Sequence, residues 1–328
     1  MIDRIAVIGG GAWGTALAQV AASGGRETLL WAREADVVES VNSTHQNAIF
    51  LPGIPLDPAI RATSELAEIA DADAWLVVTP AQHMRAVLAA APTASGPLVL
   101  CSKGIEEASG QMLHHVAREI CPEAPLAVLS GPTFAHEVAA GLPTALTIAA
   151  EQSDIGEALR DRIALPQFRL YLSDDIAGAE VGGAVKNVLA IACGVVEGRG
   201  LGQNARAALI ARGFAEMTRF GLANGARRET LAGLSGLGDL VLTCSSTSSR
   251  NFSLGKGIGE GRSAAELMSD RRTVAEGAFT APVLARLAAQ QMVDMPIVQA
   301  VDDLIAGRST VDEVLGELLS RPPRPESH

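Results

Sequence analysis

Along the first half of the chain, short apolar runs alternate with longer stretches that read as helix. The runs are residues 5–8 (IAVI), 28–31 (TLLW), 74–78 (AWLVV), 98–101 (LVLC), 126–129 (LAVL), 145–148 (ALTI) and 168–171 (FRLY). Most are apolar at consecutive positions and too short for a helix, the pattern of strands buried on both faces of a sheet. Their alternation with helical stretches such as residues 15–22 predicts a doubly wound, mostly parallel α/β sheet. From about residue 180 the strand-like runs stop. Helical spacing takes over, as in Ala207, Leu209, Ile210, Phe214 and Met217, or Val283, Leu284 and Leu287, which predicts an all-helical second domain. The expected division is residues 1–179 and 180–328. A chain of 328 residues exceeds the roughly 250 to 300 at which single cores stop growing. Residues 51–55 (LPGIP) read as loop, and residues 321–328 as a disordered proline-rich tail.

The first run ends in glycine. Residues 9–14 read GGGAWG and lead straight into the first helical stretch, the strand, turn and helix order of a dinucleotide-binding, Rossmann-like fold. Gly9 permits the tight turn, Gly11 lets the backbone approach a pyrophosphate, and Gly14 lets helix and strand pack closely. Free amides at the helix start face the phosphates. Arg33 follows the second strand, where NAD-specific proteins often place an acidic residue. It would stack on adenine, pair with a 2′-phosphate, or stand as a solvated charge, and Glu34 beside it leaves NAD and NADP both open. Open α/β sheets bind ligands beyond the carboxyl ends of their strands. Lys103 and the turn at residues 130–135 (SGPTFA) fall there, the turn with free amides suited to a carbonyl or hydroxyl oxygen; each is also compatible with an ordinary turn.

Residues 182–193 (GGAVKNVLAIAC) set one amine in an apolar run, since Lys186 is the only formally charged residue between Glu180 and Glu197. On a helix it is flanked by Gly182, Gly183, Leu189, Ala190 and Cys193, mostly small residues that would leave a hollow for substrate. The chain has 26 basic residues, of which only Lys103, Lys186 and Lys256 are lysines. Arginine cannot release a proton near neutral pH, whereas a desolvated lysine can, so Lys186 is a candidate proton donor and acceptor. The alternative is a lysine that snorkels to the surface or pairs with a distant carboxylate. Residues 233–240 and 243–251 are too rich in Gly, Ser and Thr for helix interiors and read as loops or helix starts. Ser249, Arg250 and Asn251 offer a hydroxyl, a guanidinium and an amide suited to phosphate, or belong to a serine-rich surface loop. Asp239 is either a helix N-cap or a partner in the chemistry.

Composition narrows the setting. The hydrophobic fraction is 48% and the aromatic fraction 3%, so the cores are built mainly from Ala, Val, Leu and Ile. A net charge of −11 disfavours nucleic acid and anionic membranes, so an anionic substrate needs a local cationic pocket. Cys101, Cys121, Cys193 and Cys244 lack zinc-ligand spacing, which suggests reduced thiols, no metal site and a cytoplasmic protein. No apolar run is expected to approach the ~20 residues of a membrane span, and the first residues lack the layout of a signal peptide.

Several separate stretches in order then point to one family: GGGAWGTALA at the start, FLPG at Phe50, SKGIE at Ser102, SGPTFAHE at Ser130, AVKNVLAI at Ala184, GLGDLVLTCSSTSSRN at Gly236 and VAEGAFTA at Val274. Over nearly all its length apart from the tail, the chain resembles the NAD(P)-dependent sn-glycerol 3-phosphate dehydrogenases of bacterial type. The resemblance implies reversible NAD(P)H-dependent reduction of dihydroxyacetone phosphate, supplying glycerophospholipid synthesis. It implies a catalytic Lys186 with Lys103, Gly131, Thr133, Asp239, Ser249, Arg250 and Asn251 around the substrate. Cofactor contacts are implied for Gly9, Gly11, Ala12, Trp13, Gly14, Arg33, Lys103, Ala135, Arg250, Val274 and Glu276. Ala12 stands where serine is frequent, which removes one side-chain hydrogen bond to the cofactor, and His136, where lysine or glutamate is frequent, receives no role. A homodimer is a family expectation. The competing readings are a related two-domain dehydrogenase of a hydroxyacid or hydroxyacyl-CoA, and a nicotinamide-binding sensor without chemistry.

Overall fold

The computed structural model describes residues 2–269 and 275–322. Its first half is an eight-stranded sheet in the order β3-β2-β1-β4-β5-β6-β7-β8. The strands are β1 (Arg4–Ile8), β2 (Glu27–Trp31), β3 (Ile60–Thr63), β4 (Ala74–Val77), β5 (Leu98–Leu100), β6 (Leu126–Ser130), β7 (Thr144–Ala150) and β8 (Phe168–Ser173). All neighbours run parallel except β6 and β7, which pair antiparallel.

Alternate residues of each central strand enter different cores. Ile5, Val7, Leu76 and Val99 pack with α1 (Ala12–Ser23), α2 (Ala35–Thr44) and α6 (Ser153–Ile163) on one face. Ala6, Ile8, Trp75 and Leu98 pack with α3 (Ala81–Ala90) and α4 (Leu113–Ile120) on the other. Burial on both faces is why the runs are apolar at consecutive positions. Strand β3 escapes that pattern: it is an edge strand with Arg61 exposed, so no continuous apolar run marks it.

A short α5 (Ala135–Ala139) lies between β6 and β7. The second half comprises α7 (Ile176–Gly198), α8 (Gly202–Ala223), α9 (Arg228–Leu231), a π-helical turn (Leu234–Gly238), α10 (Asp239–Thr243), α11 (Arg250–Gly259), α12 (Ala264–Leu267), α13 (Glu276–Gln290), α14 (Pro296–Ile305) and α15 (Val311–Ser320). Asp175 starts α7 by accepting the Gly178 amide at 2.8 Å, and its other oxygen accepts the Arg227 amide at 2.8 Å. Helix α7 is 23 residues long, and by length and composition alone it is long and apolar enough to cross a membrane. The helix is longer than any uninterrupted apolar run within it, because Glu180, Lys186 and Glu197 lie inside its span. The helix is buried inside the protein, a core element around which the others pack. The α11 backbone lies directly against it, for a Cβ added at Gly255 would fall 1.9 Å from the Ile191 carbonyl oxygen.

Of the expected tail, Arg321 and Pro322 are described, and Arg321 pairs with Asp294 at 2.7 Å. The remainder of that expectation lies outside the described residues.

Candidate active site

The glycine turn is built as its spacing requires. Gly9 has φ +131°, and a Cβ added there would meet the Val78 carbonyl carbon at 2.9 Å. A Cβ at Gly14 would fall 1.9 Å from the Gly9 oxygen, whereas one at Gly11 would meet nothing within 4 Å. Gly11 is the N-cap of α1 and offers no side chain to the free amides behind it. Ala12 and Trp13 follow, and the Trp13 indole nitrogen is buried without a hydrogen-bond partner. Open space, free amides and forbidden side chains together fit a dinucleotide pyrophosphate. Arg33 stands beyond the carboxyl end of β2 with its side chain 76% exposed, 3.1 Å from Glu34, a geometry that leaves NAD and NADP both open.

Along the same sheet edge lies a second cluster. The Ser102 hydroxyl donates to the Thr79 carbonyl at 2.5 Å, and Thr79 follows Val78, the residue against Gly9. Lys103 comes next in the chain. Its Nζ donates to Asp239 Oδ2 at 2.6 Å and to the Gly131 carbonyl at 3.2 Å. From α7, Lys186 Nζ donates to Asp239 Oδ1 at 2.6 Å and to Thr243 Oγ1 at 2.8 Å. Lys186 is 6% exposed and Asp239 0%, so two ammonium groups, one buried and one half-buried, share one buried carboxylate. Burial lowers the Lys186 pKa to about 8 against the upward pull of Asp239, and the nearby Lys103 charge lowers it too. This is the local positive charge that an anionic ligand needs on an acidic protein.

Asp239 is the first residue of α10 rather than its N-cap. Its carboxylate turns to the lysines instead of back to the helix amides.

The glycines beside Lys186 are explained by what fills their space. A Cβ at Gly182 would fall 2.2 Å from the Ser235 carbonyl oxygen, and one at Gly183 would fall 3.1 Å from Lys103 Cγ and 3.3 Å from Ser130 Oγ. The expected hollow for substrate is therefore taken up by the π-helical turn and the Lys103 stem. Helical spacing identifies the residues beside an amine, but not the distant segment that packs there. Gly182→Ala is expected to destabilise the protein by roughly 1–3 kcal/mol through overpacking and to lower turnover by shifting the turn that leads into Asp239. A melting temperature and kcat both equal to wild type would show that this close approach is not needed.

The remaining expected residues divide into two groups. A Cβ at Gly131 would fall 2.9 Å from Leu146 Cα, and Thr133 Oγ1 lies 3.4 Å from the Gly131 oxygen; Ala135 opens α5 just beyond. Glu276 opens α13. Burial raises its carboxyl pKa, while Arg250, Lys103 and Lys186 pull it down and the Ala81 amide hydrogen-bonds to it, so these charges face one region. Arg250 is exposed at the start of α11. Ser249 and Asn251 are engaged within the protein: the Ser249 hydroxyl caps α11 by accepting the Phe252 amide at 3.2 Å. Asn251 donates to Asn187 Oδ1 at 3.0 Å and accepts the Gly277 amide at 2.9 Å. Val274 lies outside the described residues.

Thr243 was missed as a ligand of Lys186. It lies four residues after Asp239, a helical spacing that does not show when residues 233–240 and 243–251 are read as separate loops or helix starts. Ser130 heads the expected turn at residues 130–135, and its hydroxyl is buried beside Gly183 without a hydrogen-bond partner.

Two family models match the chain, the NAD-dependent glycerol-3-phosphate dehydrogenase N-terminus over residues 4–155 and C-terminus over residues 175–316. The glycerol-3-phosphate dehydrogenase (NAD(P)+) of Erythrobacter litoralis is 64% identical over 326 residues, which cover 99% of this chain and 98% of that protein. The protein of the same description from Novosphingobium aromaticivorans is 62% identical, covering 98% of each chain. A crystal structure of glycerol-3-phosphate dehydrogenase from Coxiella burnetii superposes with a TM-score of 0.92 at 37% identity, covering 97% of this chain and 99% of that one.

Proposed function

The chain belongs to the NAD-dependent glycerol-3-phosphate dehydrogenase family, and from that premise we propose that it interconverts dihydroxyacetone phosphate and sn-glycerol 3-phosphate with NAD(P)H, supplying glycerophospholipid synthesis. The observation that carries the reading is the buried Lys186 and Asp239 pair, with the half-buried Lys103 on the same carboxylate, beside the sheet edge that also holds the glycine turn. The dinucleotide-binding domain is taken as residues 1–179 and the helical substrate domain as residues 180–328, with both contributing contacts to each ligand.

Gly9, Gly11, Ala12, Trp13 and Gly14 would hold the pyrophosphate side of the cofactor and Arg33 its adenosine end, with Lys103, Ala135, Arg250, Val274 and Glu276 completing the contacts. The bound nicotinamide supplies or accepts the hydride. Reduction places negative charge on the C2 oxygen of the substrate, and Lys186 supplies its proton. In the reverse direction the neutral amine takes that proton back. A pKa of about 8 keeps both forms of the amine within reach near neutral pH. Lys103 polarises the carbonyl, helped by Gly131 and Thr133 beside it, and Asp239 aims both ammonium groups. Arg250, with Ser249 and Asn251 beside it, holds the phosphate away from the reacting centre.

The deciding experiment follows NADH and NADPH absorbance with dihydroxyacetone phosphate. Oxidation of either supports the reading. Oxidation only with a hydroxyacid precursor or an acyl-CoA would point to a different dehydrogenase, and cofactor binding without oxidation to a sensor. A homodimer in the cytoplasm belongs to the same proposal and is tested by sedimentation and by cell fractionation. Arg250→Ala is expected to raise the KM for dihydroxyacetone phosphate by at least about tenfold at saturating cofactor, the effect of losing a charged hydrogen bond. An unchanged KM would remove Arg250 from phosphate recognition.

A further inference from the structure

The stretch FLPG at Phe50 has no role in the site described above, yet the loop that contains it reaches the glycine turn. After α2 the chain turns through His45 at φ 50°. It closes on itself where the Leu51 amide donates to the Asn47 carbonyl at 2.9 Å and the Leu56 amide to the His45 carbonyl at 2.8 Å. Leu51 and Leu56 are buried in the same core as α1, and the Asp57 amide donates to Gln19 of that helix at 2.7 Å.

Asn47 is 0% exposed. Its Nδ2 donates to the Gly10 carbonyl at 2.8 Å and to Thr15 Oγ1 at 2.7 Å, while its Oδ1 accepts the Phe50 amide at 3.0 Å. The Phe50 amide is a donor only and the Gly10 carbonyl an acceptor only, so the orientation of the Asn47 amide is determined by its partners. Every hydrogen-bonding direction of this buried side chain that faces the turn is used.

We propose that Asn47 is a positioning residue for the cofactor: by holding the Gly10 carbonyl, it aims the Gly11 amide at the pyrophosphate. The inference rests on the reading of the glycine turn as a dinucleotide site. In a planar trans peptide the carbonyl of one residue and the amide of the next point in opposite directions. With the Gly10 oxygen drawn inward to Asn47, the Gly11 N–H is turned away from it, and the space around Gly11 is open. Gly9, Gly10 and Gly11 form the most freely rotating type of backbone. A turn that is not held from outside would have to be ordered by the ligand, at a cost in affinity.

The test measures ADP-ribose and adenosine binding to the wild-type protein and to Asn47→Asp, which keeps shape and the Phe50 bond but sets an acceptor against the Gly10 oxygen. The expected result is an ADP-ribose Kd raised on the order of tenfold with the adenosine Kd unchanged, because adenosine lacks the pyrophosphate. Equal weakening of both ligands would reveal a general loss of structure, and no weakening of either would show that the turn holds itself; each overturns the proposal. Should Asn47→Asp fail to fold, Asn47→Ala removes the bond to the Gly10 carbonyl while leaving the Thr15 hydroxyl, which also lies 3.4 Å from that carbonyl, in place, and selective weakening of ADP-ribose is again required. A wild-type protein that binds no ADP-ribose would sink the dinucleotide reading itself, a result distinct from a variant that matches wild type.

Discussion

Replacing Lys186 with alanine is expected to lower kcat for dihydroxyacetone phosphate reduction by about 10²- to 10⁴-fold, the usual contribution of a positioned general acid, with cofactor affinity retained. The protein is expected to stay folded because Asp239 keeps its second counter-ion, Lys103 at 2.6 Å. The pH profile gives the same residue a signature. Burial lowers the Lys186 pKa to about 8, and reduction needs the protonated amine, so wild-type kcat for reduction is expected to fall as pH rises through about 8. Oxidation of sn-glycerol 3-phosphate needs the neutral amine and is expected to rise over the same interval. Both inflections should vanish in the alanine variant. Lys186→Arg separates the proton from the charge, since arginine stays protonated throughout this range. Near-normal turnover with arginine would reduce Lys186 to an anchor for the anionic substrate, and the proposed proton transfer would have no donor.

The residues most legible in the sequence were those whose surroundings are local. Six of the seven strands read from the sequence lie inside the sheet, where both faces are covered and apolar residues fall at consecutive positions, as at residues 5–8. The seventh, β8, is an edge strand marked by alternation, with Phe168 and Leu170 buried and Arg169 and Tyr171 exposed. Strand β3 was not read, because an edge position allows Arg61 to face solvent. The antiparallel entry of β7 was equally hidden. Its strand is as apolar as its neighbours, and direction is set by how the chain returns through α5. Lys186 was visible as a single charge in a long apolar run, but its partner lies 53 residues away, a distance over which no periodicity speaks. For the same reason Gly182 and Gly183 were read as empty space, when they mark where the π-helical turn and Lys103 press against α7. Reading residues 233–240 and 243–251 as loops or helix starts leaves Thr243 outside any continuous helix, although its i to i+4 spacing from Asp239 is present in the sequence.

Asp239→Asn tests whether the cluster acts as a unit. The carboxylate sits at 0% exposure with its two oxygens 2.6 Å from Lys186 and Lys103. Asparagine keeps the shape but offers one acceptor and turns an NH₂ group toward the second ammonium. Two positive charges would then face each other in a buried site without a carboxylate between them. The stability cost is expected to be about 3–5 kcal/mol, that of breaking a buried ion pair from one side. The effect on chemistry has a definite direction. Asp239 pulls the Lys186 pKa upward, while burial and Lys103 push it down. Without Asp239 only the downward influences remain, so the pH at which reduction declines should move below 8. At pH 8 the protonated fraction shrinks accordingly, and kcat for reduction is expected to fall about a hundredfold. Activity should recover in part as the pH is lowered, which a merely loosened fold would not do. If the variant is less stable but its inflection stays at wild-type pH, Asp239 holds the helices together without tuning the amine, and the charge relation between the two lysines has to be abandoned.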